Sequence, residues 1–230
     1  CVDSSNPNYK AWWIVDDMAK AYNVPPDPVG GHVVDWTPTS TAWAHFTRGG
    51  DITLGGGDAD DTPDTVLHEM GHSVMYNIYT DMPESNCPDP HYLMQHSHVN
   101  CAWTEGWAHV WHMWTTNDPI RGYSGGGGFD LESPTWGDGN DEGSDVEGRV
   151  AAAVWDITDS AIDGYDRFSG SWLDVWHIMY HHDCETFYQF YQQWKSHNYG
   201  THGAVASIYQ NTMNWNTSPV FGGLPDVIAH

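Results

Sequence analysis

A chain of 230 residues, 40% hydrophobic and 14% aromatic, can bury a core without a metal or a disulfide to hold it, so neither a disordered chain nor a metal-rescued fold is expected. Seven Lys and Arg against thirty-one Asp and Glu give a formal charge of −24, a field that repels nucleic acid and anionic membranes and argues against both as partners. Asp outnumbers Glu by 24 to 7, often beside Gly, a composition of acidic turns, calcium sites or solvated surface.

The first predicted element is a helix from about Tyr9 to Tyr22, stopped by Pro25 and Pro26. Two extended runs follow, 32–36 and 41–57, the second turning at Gly49-Gly50-Asp51 as a hairpin. Thr62-Pro63-Asp64 is a helix start, with a hydroxyl cap, a proline in the first turn and an early acid. The helix predicted from it runs to about Tyr79, with Val66, Met70, Val74 and Ile78 as its core stripe and Leu67, Gly71 and Met75 widening it. His68 and His72 form a neighbouring stripe, also four apart.

Residues 80–98 read as a loop, and a helix is predicted over Val99–Thr116, with Trp103, Trp107, Val110, Trp111 and Trp114 buried. Gly106 and Ala108 are small enough to let that helix approach a neighbour closely. The Gly- and Asp-rich stretch from Arg121 to Gly143 reads as irregular. A helix from about Asp145 to Ala161 turns Val146, Val150, Val154 and Ile157 inward, and three more helical stretches lie near 172–182, 185–197 and 202–214. A small sheet followed by helices is an α+β layout. It is read as one domain, 1–230, with an N-terminal lobe of about 1–80, a mainly helical C-terminal lobe of about 97–230 and a cleft between them.

Four cysteines at long spacings, without a C-x-x-C pair, favour disulfides and an oxidising compartment, so the protein is expected to be secreted. Cys87 and Cys101 are near enough to close a short loop, which leaves Cys1 with Cys184, although three connectivities are open. No signal peptide or membrane span is visible, as expected of a mature or excised domain, and a first-residue cysteine is also a potential lipid-attachment site.

Within the second predicted helix, His68-Glu69-Met70-Gly71-His72 is an H-E-x-x-H pattern. Histidines four apart project from one helical face, so both imidazoles can reach one zinc ion, and the glutamate between them can take a proton from water. A chain with fifteen histidines can produce these letters by accident, so the capped, periodic helix and the hairpin before it carry the argument. A catalytic zinc needs a third protein ligand. The metzincin continuation fails, because Met75 and Ile78 stand where it needs Gly and His. A glutamate from a later helix is the alternative, and Glu105 in "AWTEGWAHVWHMW" supplies it.

With "HEMGH" and "TEGWA" in place, and a sheet ahead of them, the sequence resembles the gluzincin metallopeptidases, the thermolysin-like arrangement of H-E-x-x-H plus a downstream glutamate. The resemblance covers about a third of the chain. It implies a zincin-like fold with a mainly antiparallel N-terminal sheet, His68, His72 and Glu105 as zinc ligands, Glu69 as general base, and an upstream edge strand that binds an extended substrate. Two departures stand out: a longer interval between His72 and Glu105, and His109 where those enzymes place an aspartate that orients the first zinc histidine. Glu105, His109 and His112 share one face, so His109 stays open as a rival third ligand, whereas loop residues His91, His96 and His98 could also bind metal but are read as solvated.

An oxyanion donor is sought among His177, Tyr180, His181 and His182, with Tyr180 chosen against the reading of a solvated helix end. Of the carboxylates Glu147 and Asp156, nine apart and on opposite faces of one helix, Asp156 is the candidate to orient a zinc histidine. Arg149, Asp156 and Asp163 share a face that equally suits a solvated stripe. The acidic runs 57–64 and 137–145 are candidate structural calcium sites, with ordinary turns the competing reading.

The sequence thus leads to a secreted, monomeric zinc metalloendopeptidase acting on a protein or peptide, a glycoprotein included. The competing reading is a glycan- or protein-binding module whose zinc is structural or non-catalytic, with the fourteen tryptophans lining a sugar-binding surface.

Overall fold

In the computed structural model, residues 8–58, 63–122, 127–133 and 135–215 are described, and they form seven helices and five short strands in two compact units. Unit one comprises the described residues of Cys1–Met82 and of Trp107–Asp130; unit two takes Pro83–Gly106 and those from Leu131 onward.

Unit one begins with α1 (Tyr9–Tyr22), which ends before the Pro25-Pro26 pair as the sequence predicts. Strands β1 (Val34–Trp36), β2 (His45–Phe46) and β3 (Ile52–Leu54) form a sheet in the order β1-β3-β2. The β2–β3 hairpin is antiparallel and turns at Gly49, whose φ of 72° suits a residue without a Cβ. The expected mainly antiparallel sheet needs correction. β1 pairs with β3 in parallel, Val34 opposite Ile52, because the chain passes from β1 to β2 on the far side of β3 and the hairpin then turns it back into the central strand β3. Ile52 and Leu54 are fully buried and join this sheet to the core.

α2 (Asp64–Ile78) starts after Pro63; the predicted cap Thr62 lies outside the described residues. Its Val66, Leu67, Met70, Val74 and Met75 are buried, whereas Ile78, at the end of the predicted stripe, is only partly so. The second half of α3 (Val99–Thr116) also belongs to unit one. Next comes an antiparallel pair, β4 (Ile120–Gly122) with β5 (Gly128–Asp130). The sequence reading of irregular chain from Arg121 missed this pair, because three-residue strands are too short to show an alternating pattern.

Unit two contains the first half of α3 and the loop closed by the Cys87–Cys101 disulfide. Four helices complete it: α4 (Glu147–Thr158), α5 (Trp172–His181), α6 (Phe187–Ser196) and α7 (Thr201–Gln210). α4 is shorter than expected at both ends. Val146 is drawn into an extended bridge with His96, and Asp159 is extended in turn. Every residue of α4 is buried, and α4 packs on α7. Ser171 and Thr186 accept backbone N–H groups at the starts of α5 and α6, satisfying donors that have no helical partner.

α3 departs from the stripe expected of it: residues 101–113 are all buried, and the helix is open to solvent only at its two ends, Val99 and Asn100 before and Trp114 onward after. A helix buried on every side must satisfy its indole N–H groups internally. Trp103 donates to the Cys184 carbonyl at 2.7 Å in unit two, and Trp107 donates to the Gly71 carbonyl at 3.1 Å in unit one. Cys184 is buried and in no disulfide among the described residues, and burial first, then Asp183, pushes its thiol up to about 12. Its expected partner Cys1 lies outside the described residues. No described helix is long and apolar enough to cross a membrane.

Candidate metal centre

In unit one the site is built on α2. Gly71 faces the second half of α3 so closely that a Cβ there would lie 2.8 Å from the Ala108 Cα and 3.0 Å from the Trp111 Cβ. Glycine therefore sets the separation of the two helices, and Ala108 is the small residue on the other side. The spacing of four brings His68 and His72 onto one face, with their rings edge to face at 4.9 Å. His68, Glu69 and His72 are all at least nine-tenths buried. His109 of α3 lies against His68, ring centroids 4.4 Å apart.

One turn further along α3, His112 Nε2 meets Asp64 Oδ1 at 2.6 Å, both side chains almost wholly buried. Asp64 also accepts the Gly122 N–H and has the Arg121 guanidinium 3.7 Å away. Burial pushes the Asp64 carboxyl up, but His112, Arg121 and the Gly122 N–H together outweigh it and hold the group below the usual carboxylate range. Asp64 was read from sequence only as an early helix acid. Its partner lies forty-eight residues on, and no local pattern announces the pairing.

In unit two, Glu105 is buried in the first half of α3, with its Oε1 3.7 Å from Cys87 Sγ. The disulfide sulfur has no hydrogen to donate, so this is a packing contact. Glu147, at the start of α4, and loop residue His91 complete a cluster in which ligand atoms of all three residues lie within 4.8 Å of one another. His91 Nδ1 is 2.9 Å from Glu147 Oε2. Gly106 allows this approach, since a Cβ there would meet Val150 Cγ1 at 2.7 Å and the Glu147 carbonyl at 3.1 Å. The sequence had proposed Glu105 as a ligand and His91 as a solvated loop residue, and had left Glu147 without a partner.

The remaining candidates also lie in unit two. Tyr180 is half-buried on α5, its ring against Trp176 and His181. Asp156 turns its Oδ2 toward Asn211 Nδ2 at 2.7 Å and shares a carboxylate cluster with Glu132 and Asp159. Asp163 lies beyond the end of α4, so the expected stripe with Arg149 and Asp156 does not form; Arg149 is fully buried and binds Asp138 and the Asp141 carbonyl instead. In the run 137–145, Asp138 accepts Arg149 and the Asn140 N–H, Asp141 accepts the His96 N–H, Asp145 meets His96, and Glu142 accepts the Gly137 N–H. In the other acidic run, residues 59–62 lie outside the described residues.

The described residues thus form an α+β, mostly helical chain with a buried histidine pair and a glutamate on one helix. The sequence model of the Mycolysin C-terminal domain matches residues 30–212, and the chain belongs to that family. The match gives it a thermolysin-like peptidase context and assigns no catalytic step to the domain itself. His68, Glu69, His72 and Glu105 fall within the matched span. No curated protein and no solved structure matches the chain.

Proposed function

We propose that the chain is a secreted zinc-dependent metalloendopeptidase, with His68, His72 and Glu105 as ligands and Glu69 as general base. The observation that carries this reading is the burial of His68, Glu69 and His72 together on one face of α2. His68 and His72 present two nitrogens from one helical face, and a carboxylate from Glu105 would complete a donor set that zinc favours. Glu105 is one turn before His109 on an unbroken helix, and its own surroundings hold a second carboxylate, Glu147, close by. Two buried carboxylates at that separation call for positive charge, from His91 or from an ion.

A zinc ion held there would supply a Lewis acid and bring the pKa of a water near to about 7. Glu69 would take the proton of the attacking water and pass it to the leaving amine. Tyr180 is the proposed donor to the developing oxyanion. The Cys87–Cys101 disulfide supports export to an oxidising compartment. Trp103, Trp107, Trp111, Trp176 and Trp194 are core residues, which leaves far less indole surface for a glycan than the composition suggests; the substrate is a protein or peptide, a glycoprotein included.

The test is zinc content and peptide hydrolysis of the wild type beside three variants. Glu69→Gln should keep its zinc and lose about 10²–10⁴-fold in kcat. Glu105→Ala should lose one zinc equivalent that His109→Ala retains. The reverse result would hand the third position to His109, and a zinc-loaded wild type that cleaves no peptide would sink the enzymatic reading.

A further inference from the structure

We propose that unit two carries a second transition-metal site, formed by His177, His182 and His197, for a divalent ion of the zinc class. His177 is one turn before the end of α5, His182 is the residue that closes α5, and His197 closes α6. α5 and α6 pack together, so the ends of two helices deliver three imidazoles from a stretch of twenty-one residues. Ring nitrogens of all three lie within 4.8 Å of one another, and His182 Nε2 is 3.0 Å from His197 Nε2.

Two nitrogens bound at about 2.0–2.1 Å to a tetrahedral ion lie about 3.3 Å apart. The 3.0 Å contact is close to that value and the His177 nitrogen lies within 4.8 Å of both partners, so small ring rotations close the set around one ion. A neutral imidazole pair sharing one N–H explains the 3.0 Å contact but gives no reason for His177 to converge on it. The rings are also held by their surroundings. Tyr199 stacks on His197 at 5.3 Å with planes 15° apart, and its ring stands edge-on to His177. Trp194, fully buried, fixes Tyr199 from below at 5.5 Å.

Three imidazoles without a carboxylate or thiolate suit Zn2+, Cu2+ or Ni2+ and are poor ligands for Ca2+ or Mg2+. His177 and His182 are partly exposed and His197 is exposed, which leaves a fourth position open to water or to a donor from a bound molecule. This site shares no residue with the proposed centre of His68, His72 and Glu105 and stands independently of that reading.

The experiment is a Zn2+ titration of the whole metal-stripped protein, followed by calorimetry and by the zinc-induced rise in Tm. His197→Ala and His182→Ala should each bind one equivalent fewer than the wild type, or bind it more than about 100-fold more weakly, beyond the 10–100-fold that loss of an outer partner of a ligand costs. Glu105→Ala in the same titration should keep the equivalent that His197→Ala loses, so failures of the two sites are read apart. Should His182→Ala lower the Tm before metal is added, His177→Gln takes its place. Unchanged stoichiometry and affinity in the histidine variants would overturn the site, as would loss in one variant alone.

Discussion

Asp64 in unit one and the acidic cluster around Asp156 in unit two both place carboxylates in the interior, and their surroundings treat them in opposite ways. Asp64 is surrounded by donors and positive groups: His112, the Gly122 N–H and Arg121. In unit two, Glu132, Asp156 and Asp159 crowd together, with carboxylate oxygens within 4.8 Å of one another and Asp166 close enough to act on them. Burial pushes Asp156 well above its ordinary value, with Asp166 adding to it and Asn211 opposing. Burial, then Glu132, Asp166 and Asp163, raises Asp159 to about 8. Asp166 rises to about 6 by burial, despite the Ser207 hydroxyl and the Phe168 N–H that it accepts. Being buried does not decide whether a carboxyl is charged; its neighbours do.

The sharpest way to break the contrast is to remove its satisfied member. Asp64→Ala should leave His112 and the Gly122 N–H without their acceptor and cost about 3–5 kcal/mol, the range for breaking one half of a buried pair. Chemical denaturation at pH 7 reads this directly, and a loss under about 1 kcal/mol would mean that the pair is not the anchor its burial suggests. The sign with pH follows from the lowered pKa. The stability that Asp64 contributes is present above its unfolded value of about 4 and is lost as pH falls through its folded value.

Unit two should behave in the opposite sense. A carboxyl with a raised folded pKa carries no penalty while it is protonated in both states, below about pH 4. The penalty grows as pH rises toward its folded value. For Asp159 it is complete only above about 8, so Asp159→Asn should raise the Tm near pH 9 by about 2–4 °C and leave it unchanged at pH 4. Solvent screening keeps the gain small at a half-buried group. An equal shift at both pH values would mean that packing, and not charge, is responsible. Asp166→Asn should show the smallest effect, about 1–2 °C, already complete by pH 7, because its folded value is about 6 and Asn retains an acceptor for Ser207. A gain that appears only above pH 8 would assign the titration to Asp159 instead.

The same difference between local and distant partners separates what could be read in the sequence from what could not. α1 and α3 have the predicted bounds, Tyr9–Tyr22 and Val99–Thr116, because proline-containing turns punctuate both within a few residues. The Cys87–Cys101 bond is likewise legible in a fourteen-residue spacing. The parallel pairing of β1 was not, since strand direction depends on the path between strands and not on the letters within them. The face shared by His68 and His72 follows from helical periodicity alone. The Asp64–His112 contact, the approach of Glu147 to Glu105 and the meeting of His177 with His197 depend on how separate helices pack. Sequence reasoning reached these residues only as isolated candidates or as helix-end features.

The contact at Gly71 changes what the pattern around it means. In H-E-x-x-H the two middle letters are written as free, yet Met70 is fully buried, and Gly71 leaves no room for even a methyl group against Ala108 and Trp111. A library randomised at all five positions would therefore find its narrowest alphabet at a nominal wildcard. For this chain the motif is better spelled H-E-[apolar]-G-H, a spelling imposed by the neighbouring helix and independent of any metal.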